Sequence, residues 1–260
     1  MNPSTRDKLM GVSVATLATA LYRRGLGNQV IQGVRPIAPK GRNLVGPAFT
    51  LRYMPAREDR NQLGEFRNSN HPQRAAIETC PEGHVLVMDR RKDARAASSG
   101  GILIRRLMVR GGAGVVTDGG FRDAASIGAL DIPAYHSQPS RPTNLTLHEA
   151  IEINGPLGCG DAPVFPGDVI VGDDDCVIVI PAHLADEMAD EAVEMTAYED
   201  FVSERVMEGE SIIGLYPAPR TSTRPRSRNG APKRDADGGC WRARLPALAG
   251  GATKETTVSR

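Results

Sequence analysis

Two nearby stretches hold the residue types best suited to chemistry. Gly100 and Gly101 stand directly before Ile102–Arg110, an apolar and basic run with the character of a helix. The first N–H groups of a helix have no intrahelical acceptor and lie at the positive end of its dipole. Glycines placed there open the backbone to an anion. Downstream, Gly114-Val115-Val116-Thr117 reads as a buried strand and leads into Asp118-Gly119-Gly120-Phe121-Arg122-Asp123. Arg122 and Asp123 set a fixed cation beside a carboxylate at a strand's carboxyl end, where α/β proteins build their sites. Packing alone asks for no such pair after Gly-Gly, so residues 98–123 read as a site rather than a bare crossover unit.

Other segments must position these residues. Residues 13–24 carry Val14, Leu17, Ala18 and Leu21 on one helical stripe, with Ser13 as N-cap and Gly25 as C-cap. Residues 44–53 read as a strand interrupted by Gly46-Pro47, which predicts an edge strand or a bulge. Met54 to His71 is a long polar segment, read as a solvated loop with the option of closing over a site. Pro72–Thr79 suggests a short helix, and residues 83–89 a strand running into the basic segment Arg90-Arg91-Lys92. Residues 132–136, 168–171 and 177–180 read as further strands, while the pattern over 144–154 fits helix or strand equally. From Ala182 to Met207 a helix is expected, with Leu184, Met188, Ala192, Met195, Tyr198, Val202 and Val206 on its buried stripe and an acidic outer face. From that face Glu199, Asp200 or Glu204 could reach a neighbouring subunit's site.

Several other features invite a chemical reading and lose it. Gly111-Gly112 precede a strand instead of following one, and no Gly-Lys-Ser/Thr occurs, so a nucleotide-binding loop is rejected. Asp173-Asp174-Asp175 lie between two apolar strands, where a turn explains aspartates better than a metal site does. His136, at a strand end, reads as structural. Cysteines at 80, 159, 176 and 240 show neither a CxxC pair nor compact spacing, which suggests no zinc site and no disulfide framework.

Composition sets the class. Aromatic residues make up only 4% of the chain against 40% hydrophobic, so the core is built from Val, Ile, Leu and Ala. Such a core suits a parallel or mixed sheet covered by helices. The net charge of +1 hides an asymmetry: residues 218–260 hold ten Lys and Arg against three Asp and Glu, while the remainder is acidic. That basic segment, rich in Pro, Ser and Gly, predicts a disordered tail, and it lacks the aromatic interleaving expected of a nucleic-acid partner. No apolar leader or 18-residue apolar run occurs, so the expectation is a soluble cytoplasmic protein without a membrane partner.

The block Thr117-Asp118-Gly119-Gly120-Phe121-Arg122-Asp123 and the preceding Gly100-Gly101-Ile102-Leu103 resemble the RraA-like family. That family takes in the regulators of ribonuclease activity and the 4-hydroxy-4-methyl-2-oxoglutarate aldolases. The likeness extends through Val164–Asp168 and Gly172–Asp175 and covers roughly residues 10–217. It implies a three-layer α/β domain of swivelling ββα type over 1–217, a strand within 144–154, and a homotrimer or hexamer with sites near subunit boundaries. It also implies a small 2-oxo acid substrate, bound by Gly100, Gly101, Ile102, Leu103 and Arg122, with Arg122 and Asp123 as the catalytic pair. Asp123 would hold Mg²⁺ or Mn²⁺, hard cations that prefer oxygen and keep several waters. The implied chemistry is class II aldol cleavage of 4-hydroxy-2-oxo acids and decarboxylation of oxaloacetate, both of which release pyruvate. The alternative within the family is a non-catalytic regulator that binds protein. Two positions depart from the aldolase pattern. Gly101 and Ser126 stand where acidic residues would orient waters on the cation, and such losses lower affinity or activity about 10–100-fold. The base is then either a water on the cation or a carboxylate from an adjacent subunit.

Overall fold

The computed structural model describes residues 1–217. The expected tail, 218–260, lies outside the described residues. Two short helices open the chain, α1 (Pro3–Leu9) and α2 (Val14–Arg23), followed by strands β1 (Val30–Ile31), β2 (Arg35–Pro36) and β3 (Leu44–Pro55). Next come α3 (Pro72–Thr79), β4 (Val85–Asp89), β5 (Ala97–Ser99), α4 (Gly101–Val109), β6 (Gly114–Thr117) and β7 (Gly120–Phe121). Then follow α5 (Ala124–Gly128), β8 (Ala134–His136), β9 (Gln138–Pro139), β10 (His148–Ile153), β11 (Leu157–Cys159) and β12 (Ala162–Val164). Strands β13 (Val169–Gly172) and β14 (Val177–Ile180) precede the long helix α6 (Ala185–Met207).

A nine-stranded mixed sheet runs β1-β14-β13-β3-β4-β6-β8-β2, with β10 also paired to β3. Its parallel half, β3-β4-β6-β8, is joined by α3, α4 and α5, since parallel neighbours need a crossover that returns the chain to the same end. Alternation along β4 separates two cores. Leu86 and Met88 join Ile77, Ile104, Leu107 and Ile127 beneath the three crossover helices. Val85 and Val87 face the other way, into a cluster with Ile170, Val177, Val179 and Val164 of the β11–β12 hairpin. The sheet curls around this second cluster: Tyr135 on β8 donates its hydroxyl to the Asp173 carbonyl beyond β13 at 2.8 Å. A third cluster packs α1, α2 and α6 on β13 and β14 through Leu17, Leu21, Ile178, Ile180 and Met188. The expected α/β class and family fold are therefore present.

The segment 44–53 is not at an edge. It lies in β3, between β13 and β4, at the centre of the sheet. Pro47 is tolerated there because of the strand's alternation. Ala48 N–H donates to Asp168 O toward the β13 side, so Pro47's donorless nitrogen points the other way, and pairing with β4 begins only at Ala48. Gly46 is required by a different contact, since a Cβ on it would lie 2.5 Å from the Gly83 carbonyl oxygen. Residues 144–154 resolve into a 3-10 turn (Asn144–Thr146) followed by β10, as the family likeness implied. Helix α1 had no counterpart in the sequence reading.

Candidate active site

The side chains singled out from the sequence are brought to one place by a small parallel sheet, β5-β7-β9, apart from the main sheet. Ser99 and Phe121 are in register, and Arg122 N–H donates to Ser99 O at 3.0 Å, so both strands deliver their next residues to the same level. Close packing makes this possible. A Cβ on Gly119 would meet Arg90 at 2.7 Å, and one on Gly120 would meet the Gln138 carbonyl oxygen at 2.7 Å. Gly119-Gly120 thus serve packing, and the chain reaches solvent only beyond the buried Phe121.

Gly100, Gly101, Ile102, Leu103, Arg122 and Asp123 all line one cleft of about 280 Å³. Arg122 and Asp123 are exposed at it rather than buried in the core. Asp123 adopts a left-handed backbone, φ 58°, which aspartate accepts more readily than most residues. From there its Oδ2 accepts the Gly101 N–H at 3.3 Å, and a Cβ on Gly101 would lie 3.4 Å from the Asp123 Cβ. The carboxylate therefore occupies part of the anion position at the start of α4. The Leu103 N–H closes on the Gly100 carbonyl at 3.1 Å. Two of the three amides at 101–103 are thus already engaged within the chain.

Sequence reasoning missed further residues of the cleft lining. Phe66, Gln73, Arg74, Ser99, Thr143 and Asn144 also line it. Ser99 and Asn144 are 4% and 2% exposed, yet Ser99 Oγ and Asn144 Nδ2 have no hydrogen-bond partner among the described residues. Buried polar atoms usually take a partner, so these two are available to a ligand or a water in the cleft. Arg74 lies over the Phe66 ring, 4.9 Å from its centroid, and its buried Nη1 is also without a partner. Phe66 comes from the polar segment 54–71, so that loop does reach the site. The nearby His71 imidazole has its pKa lowered by burial and by Arg74.

Other residues take structural roles. Asp118 accepts the backbone N–H of Arg90 at 2.6 Å, of Lys92 at 3.1 Å and of Gly160 at 3.3 Å, tying three loops together. Arg90, the first residue of the basic segment after β4, is fully buried. Its guanidinium lies 4.4 Å from the Tyr53 ring centroid and donates to Ala96 O, and burial pulls its pKa down to about 10. His136 stacks on Phe121 at 5.9 Å, away from the cleft, and burial pulls its pKa down to about 4. Asp173 caps its own turn, accepting the amides of Asp175 and Cys176, both at 3.0 Å. On α6, Glu199 is taken up by the Thr16 hydroxyl at 2.8 Å, whereas Asp200 and Glu204 stay exposed.

Among the described residues no group of three or more His, Cys, Asp and Glu gathers as a metal cage. In the cleft the acid is Asp123, and neither Gly101 nor Ser126 adds a second carboxylate. One carboxylate with water and substrate oxygens is a donor set that suits Mg²⁺ or Mn²⁺, which rarely sit in all-protein cages.

Residues 14–179 match the profile of the family described as RraA-like, Aldolase/RraA. The chain belongs to the RraA-like family. A Halalkalibacterium halodurans relative named "Putative 4-hydroxy-4-methyl-2-oxoglutarate aldolase" is 34% identical over 146 residues, 55% of this chain and 67% of that one. The Legionella pneumophila protein DlpA is 23% identical over 81% of this chain, which spans only 33% of that longer protein. Among solved structures, Streptomyces coelicolor RraAS2 is described as an unusual member of the RNase ES inhibitor RraA protein family. It superposes with a TM-score of 0.69 at 28% identity, covering 77% of this chain and 96% of RraAS2. An uncharacterised Pseudomonas syringae protein shares the fold, with a TM-score of 0.70 at 22% identity over 83% of this chain and 98% of its own. The RraA-like relatives thus include proteins named for aldol cleavage and for RNase inhibition. No helix among the described residues is long and apolar enough to cross a membrane.

Proposed function

We propose that this RraA-like chain is a divalent-cation-dependent lyase that releases pyruvate, by aldol cleavage of 4-hydroxy-2-oxo acids and by decarboxylation of oxaloacetate. The observation carrying this reading is that Arg122 and Asp123 are exposed on the same cleft as the start of α4. The Arg122 guanidinium presents a planar fork that pairs with the carboxylate or 2-oxo oxygen of the substrate. Asp123 holds Mg²⁺ or Mn²⁺, and the Gly101 amide on its Oδ2 fixes the carboxylate's orientation. When bound, the cation supplies Lewis-acid polarisation of the 2-oxo group.

The chemistry then asks the chain for charge stabilisation and one base. Cleavage breaks the C3–C4 bond of a 4-hydroxy-2-oxo acid as the 4-hydroxyl proton leaves. The bonding pair moves to give the enolate of pyruvate, which Arg122 stabilises through its oxygen. Protonation at C3 completes pyruvate, and C4 departs as a carbonyl. Decarboxylation of oxaloacetate reaches the same enolate through loss of CO₂. The base is solvent or a carboxylate from a neighbouring copy in a trimer or a pair of trimers, for which exposed Asp200 and Glu204 on α6 are the candidates.

A coupled assay of pyruvate release over a panel of 4-hydroxy-2-oxo acids and oxaloacetate tests the proposal. Release that needs Mg²⁺ or Mn²⁺ and stops in Asp123→Ala supports it; equal rates with and without chelator sink the metal role. A second reading, a non-catalytic regulator that binds protein, is favoured by Gly101 and Ser126, where the aldolase pattern has acids. It predicts no release from any substrate in the panel.

A further inference from the structure

The cleft that holds Arg122 and Asp123 is also lined by groups that no reading of pyruvate chemistry uses. Arg74 sits in the first turn of α3, whose N-cap, His71, makes no side-chain capping bond and whose first turn holds no acidic residue. A cation at the positive end of a helix is electrostatically misplaced unless an anion joins it. Its placement is nonetheless enforced. Gln73 donates to Ser98 O at 2.6 Å, docking α3 against β5, and the guanidinium is stacked on Phe66 at 4.9 Å. Among the described residues Arg74 Nη1 has no partner, and neither does Asn144 Nδ2 on a side chain only 2% exposed. Both residues line the cleft that holds Arg122. Two guanidiniums against the single carboxylate of Asp123 leave the lining with a surplus of positive charge, before any cation is counted. A volume of about 280 Å³ suits a small acid rather than a cofactor.

We infer that Arg74, braced by Phe66 and seconded by the Asn144 amide, recognises the second carboxylate of a dicarboxylic 2-oxo acid whose oxo end lies at Arg122 and Asp123. The inference rests on the reading of the site as an oxo-acid site, and it deepens that reading by assigning a specificity-determining residue. Charge-assisted pairing with a planar guanidinium is directional, so a ligand that lacks the far carboxylate forfeits it and leaves buried donors unpaired.

Calorimetric titration with 2-oxoglutarate and with pyruvate, in Mg²⁺ buffer, tests this without requiring turnover. Wild type is expected to bind 2-oxoglutarate at least about tenfold more tightly than pyruvate, the margin set by one charge-assisted pair. Arg74→Met should reduce that preference to less than about twofold while leaving pyruvate affinity and the melting temperature unchanged, and Arg74→Lys should recover part of it. Asn144→Ala, read in the same way, should lower the preference about threefold, as loss of one hydrogen bond does. The inference is overturned if wild type shows no preference, or if Arg74→Met weakens both ligands equally or neither. Failure of wild type to bind either ligand overturns both this inference and the oxo-acid reading. An Arg74-dependent preference without any pyruvate release would sink the lyase activity and leave the dicarboxylate site standing.

Discussion

The Gly101 N–H donates to Asp123 Oδ2 at 3.3 Å, so one oxygen of the site carboxylate is tied to the first turn of α4. This contact joins the two sequence stretches that held the chemical residues. It also means that the helix start and the carboxylate act as one unit.

Asp123→Asn keeps the shape of that contact, and asparagine tolerates the left-handed backbone at this position. The variant is expected to fold with a melting temperature within about 2 °C of wild type and to lose pyruvate release by about 100-fold or more. Melting curves beside the coupled assay read both. Retained activity would remove the carboxylate from the mechanism.

Gly101→Asp is the converse experiment. Gly101 does not have a positive φ, and the nearest atom to an added Cβ is the Asp123 Cβ at 3.4 Å, so a side chain can be accommodated beside the site. A second carboxylate there should tighten Mn²⁺ binding about 10–100-fold. Electron paramagnetic resonance of free Mn²⁺ measures it, and an unchanged dissociation constant would count against a cation at Asp123.

Acid should destabilise the fold through two histidines. Burial pulls both His136 and His148 from 6.5 down to about 4, with Arg35 adding to the effect on the first and Arg90 on the second. His148 Nε2 lies 3.7 Å from Asp93 Oδ2, yet the depressed value leaves it neutral near pH 7, so the contact is not an ion pair there. The unfolded chain takes up these protons near pH 6.5 and the fold only near 4. The stability they confer is therefore full above about pH 6.5 and is lost as pH falls toward 4. Asp118, pushed up by burial, works in the opposite direction over the acid end. Urea midpoints between pH 7 and 4.5 should fall by the equivalent of about 2 kcal/mol or more, and His136→Phe with His148→Gln should flatten the slope. An equally steep slope in the double variant would contradict the assignment.

Gly46→Ala tests the centre of the sheet. Its added methyl carbon would sit 2.5 Å from the Gly83 carbonyl oxygen and 3.1 Å from Val85 Cγ2, and the backbone atom has no rotamer by which to move away. A loss of about 1–3 kcal/mol in unfolding free energy is expected. A neutral result would show that the β3–β4 contact can relax.

The sequence alone determined the elements whose signals are local. The short apolar strands and Met188, Ala192 and Val202 on the α6 stripe follow from periods of two and 3.6 residues that neighbouring side chains express by themselves, although Val206 at the end of that stripe is exposed. The Ser13 cap of α2 is equally local, while Gly25 stands one residue past the Arg24 C-cap, with φ 79°. The Arg122-Asp123 pair after Gly-Gly was legible for the same reason, as was the family likeness carried by contiguous residues. Pairing between distant segments decided the rest, and that belongs to tertiary structure alone. Pro47 looked like an edge signal because a missing donor says nothing about which side of a strand it faces. Gly119-Gly120 looked like part of the site, yet Arg90 and the Gln138 carbonyl pack against them. Arg74, Ser99 and Asn144 come from three separate elements and carry no mutual spacing, so only the docking of α3 on β5 and the turn before β10 could set them around one cleft. Residue types are written along the chain, but which polar atoms are left without partners is settled only when the chain closes on itself.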